Sequence, residues 1–141
     1  MANYTDSRML LVLPNDNVSK LVKLFKNDSK DHLTFKRTQL IDIEEVTKND
    51  KLSLVKVKFE CAWSVFSCMI KKNEGYLSLK EMVNDLDVEN LFIYSTESGV
   101  GFEESFSYDK NTDYQFRCCI SDGNPDVEIE EEKMLNKING E

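Results

Sequence analysis

The sequence predicts an α+β fold in which helices pack on an antiparallel sheet, and three observations carry that prediction. Apolar runs of strand length alternate with helical stripes in the order β-α-β-β-α-β. Ser78-Leu79-Lys80-Glu81 has the form of a capping box, which places a helix start inside the second crossover. Two alternating stretches after residue 101, separated by Lys110-Asn111-Thr112-Asp113, add a terminal hairpin.

Each element has its own signal. The first strand is Arg8 to Leu13, RMLLVL, stopped by Pro14. Asn15, Asp16 and Asn17 offer helix caps, after which Val18, Leu21, Val22 and Phe25 follow the i, i+3, i+4, i+7 stripe of an amphipathic helix ending near Asn27. A polar connector leads to a strand over Phe35 to Val46, a turn at 48–50, and a strand over Leu52 to Cys61. In that last strand Leu52, Leu54, Lys56, Lys58 and Glu60 oppose Ser53, Val55, Val57, Phe59 and Cys61. Ser64 caps a second helical piece with Val65, Phe66, Met69 and Ile70 inward, and Trp63 before it reads as a core anchor at the strand-to-helix turn. The helix from Ser78 runs to about Leu86 with Leu79, Met82, Val83 and Leu86 inward, and residues 89–96 form the next strand. The hairpin strands are FEESFSYD and YQFRCCIS.

This order is the split β-α-β arrangement, so the expected architecture is a ferredoxin-like antiparallel sheet with helices on one face and an added C-terminal hairpin. The domain is expected over residues 1–123, followed by an acidic tail, 124–141, with a short helix around Met134, Leu135 and Ile138.

Composition narrows the function classes. The 141 residues are 40% hydrophobic and 31% charged, which fits one globular domain able to bury its own core. No apolar run reaches the roughly 20 residues that span a bilayer, and the N-terminus lacks the basic start of a signal peptide, so a cytoplasmic location is expected. Cys61, Cys68, Cys118 and Cys119 include no C-x-x-C pair, and His32 is the single histidine. Neither a zinc site nor a redox motif has its spacing, and the cysteines read as buried, reduced thiols. The net charge of −8 is unevenly spread, since residues 1–72 carry 13 Lys+Arg against 9 Asp+Glu and residues 73–141 carry 5 against 17. An acidic half of this kind repels phosphate and attracts basic surfaces.

Gly99 and Gly101 invite a phosphate-loop reading that the flanking residues exclude. A Walker loop needs Lys and a hydroxyl after its second glycine, whereas Phe102 and Glu103 follow Gly101. A dinucleotide fingerprint needs a third glycine and a following helix, but the residues alternate like a strand. An RNA-recognition signature would need a basic residue and aromatics where Ser98, Val100 and Ser105 stand. The glycines instead supply a tight turn or bulge into the hairpin. No hydrolase elbow or zinc-protease motif is present, His32 sits in a polar connector, and adjacent carboxylates such as Glu103-Glu104 point to opposite faces of a strand. No catalytic residue, metal ligand or cofactor is assigned.

With these stretches placed, the chain resembles the YubB ferredoxin-like family of phage and mobile-element proteins over roughly residues 1–122. The likeness lies in Met1-Ala2-Asn3 before the first strand, in FECAWSVFSCM at 59–69, and above all in YSTESGVGFEESF at 94–106. There the family tends to show an acidic-Pro-Gly turn, a small residue, Phe and an acidic residue, and here Ser98 stands in the proline's place. The resemblance implies the ferredoxin-like fold and an accessory product of a phage or integrated element, and no catalytic residues.

The expected function is therefore a non-enzymatic interaction protein whose acidic half engages a basic protein surface, such as the nucleic-acid groove of a host CRISPR or restriction nuclease. The candidate contact residues are Glu97, Glu103, Glu104, Asp109, Asp113, Asp126, Glu128, Glu130, Glu131 and Glu132. The alternative is a nucleic-acid-binding module using Lys20, Lys23, Lys26, Lys36, Arg37, Lys56 and Lys58.

Overall fold

The computed structural model describes residues 4–26, 35–62, 64–97, 102–111, 115–120 and 127–139. Trp63, His32, the glycine pair, Asp113 and Asp126 lie outside the described residues. The class is α+β, built on an open antiparallel sheet. Its strands are β1 (Tyr4–Pro14), β2 (Thr38–Lys48), β3 (Leu52–Ala62), β4 (Asn90–Glu97), β5 (Phe102–Asp109) and β6 (Gln115–Ile120). They lie in the order β2-β3-β1-β4-β5-β6, with every neighbouring pair antiparallel.

β1 explains why RMLLVL reads as an unbroken apolar run. Met9, Leu11 and Leu13 point into one core with Val55, Val57, Phe59, Leu91 and Ile93, while Leu10 and Val12 point into a second with Leu54 and Phe92. A strand covered on both faces loses its polar alternation. The strand also begins four residues earlier than the apolar run, because Thr5 and Ser7 are buried between exposed Asp6 and Arg8. Thr5 is accommodated by hydrogen bonding, its Oγ1 donating to the Cys61 carbonyl at 3.2 Å and lying 3.0 Å from Cys61 Sγ.

The first core is covered by α1 (Val18–Phe25), by a π-helical turn (Phe66–Ile70) and by α2 (Leu79–Asp85). A single 3-10 turn, Asn15–Asn17, leads into α1, which buries Leu21 and Phe25. In α2 the capping box is formed: Ser78 Oγ accepts from the Glu81 amide at 3.3 Å and Glu81 Oε1 accepts from the Ser78 amide at 3.0 Å. Leu79, Met82, Val83 and Leu86 are all buried.

The piece after Trp63 departs from the expected stripe. Its Lys71 amide donates to the Phe66 carbonyl at 2.8 Å, five residues back, so the turn is wider than an α-helix and the facing residues rotate. Val65, Cys68 and Met69 are buried while Phe66 is 46% exposed. Ser64 does cap it, its Oγ accepting from the Ser67 amide at 3.1 Å.

The helices do not all lie on one face. α3 (Val127–Ile138) folds back on the opposite side of the sheet and buries Met134 and Ile138 against Leu10, Val12, Leu54 and Phe92. Asn49 Nδ2, in the β2–β3 turn, donates to the Ile138 carbonyl at 2.7 Å, and Lys137 Nζ donates to Asn90 Oδ1 at 2.6 Å. The segment that the sequence marks as an acidic tail is thus docked through its helix.

Candidate functional site

The acidic candidates whose side chains are described do not gather on one surface. On α3, Glu132 is exposed and Glu130 and Glu131 are half-buried; Glu131 Oε1 lies 3.5 Å from Lys56 Nζ, and Glu130 lies 3.6 Å from Lys133 Nζ. Ile129, also on α3, is 48% exposed. Glu128 belongs to the same helix. Asp109 closes β5 opposite Asn90, and its carboxylate accepts from the Asn111 amide at 2.9 Å. Glu97 pairs in register with Phe102, and Glu103 with Thr96.

Glu104 is not a surface contact residue, which corrects its assignment as one. It is 3% exposed and lies on the face covered by α1 and α2, opposite Ser95. Its Oε1 accepts from the Val65 amide at 2.5 Å and from Ser95 Oγ at 3.1 Å, so it caps the turn that contains Phe66–Ile70. Burial pushes the carboxyl above the usual carboxylate range, against the opposing pull of the Val65 amide, the Ser95 hydroxyl and the Phe66 amide. Among the described residues, Glu104 Oε2 and Ser7 Oγ are buried without a hydrogen-bond partner. Ser7, Ser95 and Glu104 occupy consecutive strands of one cross-sheet row, forming a polar seam beneath the π-helical turn.

The two described thiols lie beside this seam, and the hydrogen bond from the Cys61 thiol holds the Cys68 thiol below its ordinary value. Cys68 Sγ donates to the Ala62 carbonyl at 3.0 Å, and the Cys68 thiol together with burial pushes the Cys61 thiol above its ordinary value. Both are reduced and buried. Among the described residues no group of three or more His, Cys, Asp or Glu side chains is placed to hold a metal ion.

The basic candidates also divide. Lys20, Lys23 and Lys26 are exposed on and just after α1, whereas Lys56 and Lys58 lie across the sheet, on the face that α3 partly covers. Lys36 and Arg37 precede β2, with Arg37 held at φ 49°. That second face carries a depression of about 360 Å³ bordered by Asp6, Arg8, Ile41, Lys58, Tyr94 and Thr96. Arg8 and Tyr94 come together only through strand pairing, opposite each other on β1 and β4. Arg8 shares a face with Leu10 and Val12, and Lys58 with Lys56. No helix among the described residues is long and apolar enough to cross a membrane. Comparison with family models, with curated proteins and with solved structures finds no match to this chain.

Proposed function

We propose that this chain is a non-enzymatic interaction protein of phage or mobile-element origin, of the YubB ferredoxin-like type, that acts in the host cytoplasm by occupying a basic surface of a defence nuclease. The observation that carries the reading is the docking of α3. Met134 and Ile138 hold the helix to the sheet, so Glu130, Glu131 and Glu132 are presented on a fixed scaffold beside exposed Ile129. A preorganised acidic face loses less conformational entropy on binding than a mobile tail. The ferredoxin-like fold is supported by the β2-β3-β1-β4 order with its two helical crossovers. The net charge of −8 supports steering toward a cationic groove of the CRISPR-effector or restriction type.

The test is inhibition of DNA cleavage by a panel of purified CRISPR effectors and restriction nucleases, with binding measured across a salt series. The wild-type chain is expected to inhibit at least one nuclease and to bind it less tightly as salt rises. Combined Glu130→Lys, Glu131→Lys and Glu132→Lys changes are expected to weaken that binding by 10-fold or more, roughly 0.5 kcal/mol per reversed rim charge. Binding that ignores both the reversals and the salt overturns the assignment of α3 as the contact element.

A further inference from the structure

We infer that Cys68 and Cys61 form a peroxide-reactive pair beneath the π-helical turn, with Cys68 as the attacking sulfur and Cys61 as the resolving one. Their product with a hydroperoxide is a reversible disulfide. The inference rests neither on the nuclease reading nor on the acidic face of α3.

Two elements assemble the pair. Cys61 lies near the end of β3, opposite Thr5 of β1, and Cys68 lies in the turn Phe66–Ile70. Cys68 Sγ sits 3.0 Å from the carbonyl oxygen of Ala62, the residue that follows Cys61, and the two thiols are hydrogen-bonded to each other. Cysteines that only fill space in a core have no need of polar neighbours. Here Thr5 Oγ1 lies 3.0 Å from Cys61 Sγ, and Ser67 Oγ lies 4.0 Å from Cys68 Sγ. Ser7 Oγ, buried without a hydrogen-bond partner, is close enough to favour a thiolate at Cys61. A buried hydroxyl left unpaired is costly, and a charge forming beside it gives it a partner.

The surroundings of each sulfur assign its role. Cys68 is the easier to ionise, because the Cys61 thiol donates to it, and the Ser67 hydroxyl and the Arg37 charge add to this against burial. The thiolate, not the thiol, is the nucleophile. Cys61 is held neutral chiefly by Cys68, then by burial. Oxidation of Cys68 releases the first of these, and the Thr5 and Ser7 hydroxyls remain to stabilise the Cys61 thiolate.

In the first step the Cys68 sulfur attacks one oxygen of the hydroperoxide. The S–O bond forms, the O–O bond breaks, and the departing oxygen leaves with the thiol proton as water or an alcohol. In the second step the Cys61 sulfur attacks the sulfenic sulfur of Cys68. The S–S bond forms, the S–O bond breaks, and the hydroxyl leaves with the Cys61 proton as water. The two thiols have then passed two electrons to the peroxide. Cys61 is fixed in a strand paired with β1 along its whole length, whereas Cys68 sits in a single wide turn closed by the Lys71 to Phe66 bond. Local opening of that turn admits a reagent hardly larger than water and lets the sulfurs close to about 2.05 Å. Turns of this π geometry are frequent at functional sites.

The test is mass spectrometry of the reduced full chain exposed to hydrogen peroxide, with unreduced tryptic peptides mapped over time and dimedone added in a parallel series. Residues 59–71 form one tryptic peptide that holds both cysteines. It is expected to become lighter by two hydrogens and to resist alkylation until dithiothreitol is added. Closure is expected to be at least roughly 3-fold faster than in the urea-unfolded chain, where both thiols return to their ordinary values. Dimedone is expected on Cys68 first, and Cys61→Ala is expected to accumulate that adduct, with circular dichroism showing the variant folded. Early trapping in the wild type decides the same point if the variant does not fold. Cys118→Ser with Cys119→Ser is expected to leave the bond within 59–71 unchanged. The inference is overturned by no bond within 59–71, by closure no faster than in urea, or by adducts appearing first on Cys61. A sulfinic Cys68 beside a free Cys61 thiol, or loss of the bond in the Cys118 and Cys119 variant, overturns it equally.

Discussion

At the scale of single residues, Glu104 shows how a charge on the page becomes a structural group in the fold. FEESFSYD carries carboxylates at successive positions, so neither strand face is marked as the inner one by polarity alone. What decides is register: Ser95 on β4 lies opposite Glu104, and Val65 presents its amide from above. Neither partner is near in sequence, which is why this burial was not legible there. The consequence is a pH dependence with a definite sign. Because its folded-state value is raised, mainly by burial, Glu104 contributes stability that is fully present below the ordinary carboxylate range and is lost as pH rises through the raised value. Glu104→Gln removes that titration while keeping an acceptor for the Val65 amide. Urea midpoints of the two proteins between pH 4 and 8 are expected to run parallel at the acid end, apart from a constant offset. The wild type should then lose ground as pH rises. A difference that stays flat, or that shifts in the opposite direction, would show that Glu104 is no harder to ionise in the folded chain than in the unfolded one.

At the scale of elements, legibility tracks how local the stabilising interactions are. The second crossover was readable to the residue, since Ser78 and Glu81 satisfy each other's amides within one turn. The strand β5 was equally plain from its alternation. The π-helical turn was not, because its geometry comes from Glu104 at its start and the five-residue bond from Lys71 to Phe66, and the extra backbone width turns Phe66 outward and Cys68 inward. The bulge in β2 is similarly invisible in sequence, since Ile41 continues the apolar pattern of its neighbours. These differences predict where a cap matters. Ser78→Ala removes the acceptor for the Glu81 amide at a nearly buried position and is expected to cost about 1 kcal/mol, read as a lower urea midpoint with an unchanged slope. Ser78→Asp, which restores an acceptor, is expected to recover most of it. If both substitutions cost the same, the side chain is packing there rather than capping.

At the scale of the whole molecule, the question is whether α3 belongs to the same cooperative unit as the sheet. The sequence divided the chain by charge, with the acidic segment from residue 124 set apart. The Met134, Leu135 and Ile138 pattern gave a helix but no indication of what it would cover. In the fold, α3 covers the second face of β1, whose Leu10 and Val12 would otherwise be left open, and residues 89 positions apart are joined by the Asn49 to Ile138 bond. Apolar burial should dominate this contact over charge. Met134 is 5% exposed, and truncating a buried methionine costs about 2–5 kcal/mol. The Lys56–Glu131 pair, at 3.5 Å and about a quarter exposed on each side, contributes about 1 kcal/mol at most. Met134→Ala is therefore expected to lower the global urea midpoint clearly, Glu131→Gln to leave it nearly unchanged, and 1 M salt to leave α3 docked. Hydrogen exchange sharpens the distinction: if α3 shares the unit, its amides and those of β1 lose protection together in Met134→Ala. Loss confined to α3, with the sheet's midpoint untouched, would mean that the helix opens alone. The acidic face would then be presented only part of the time.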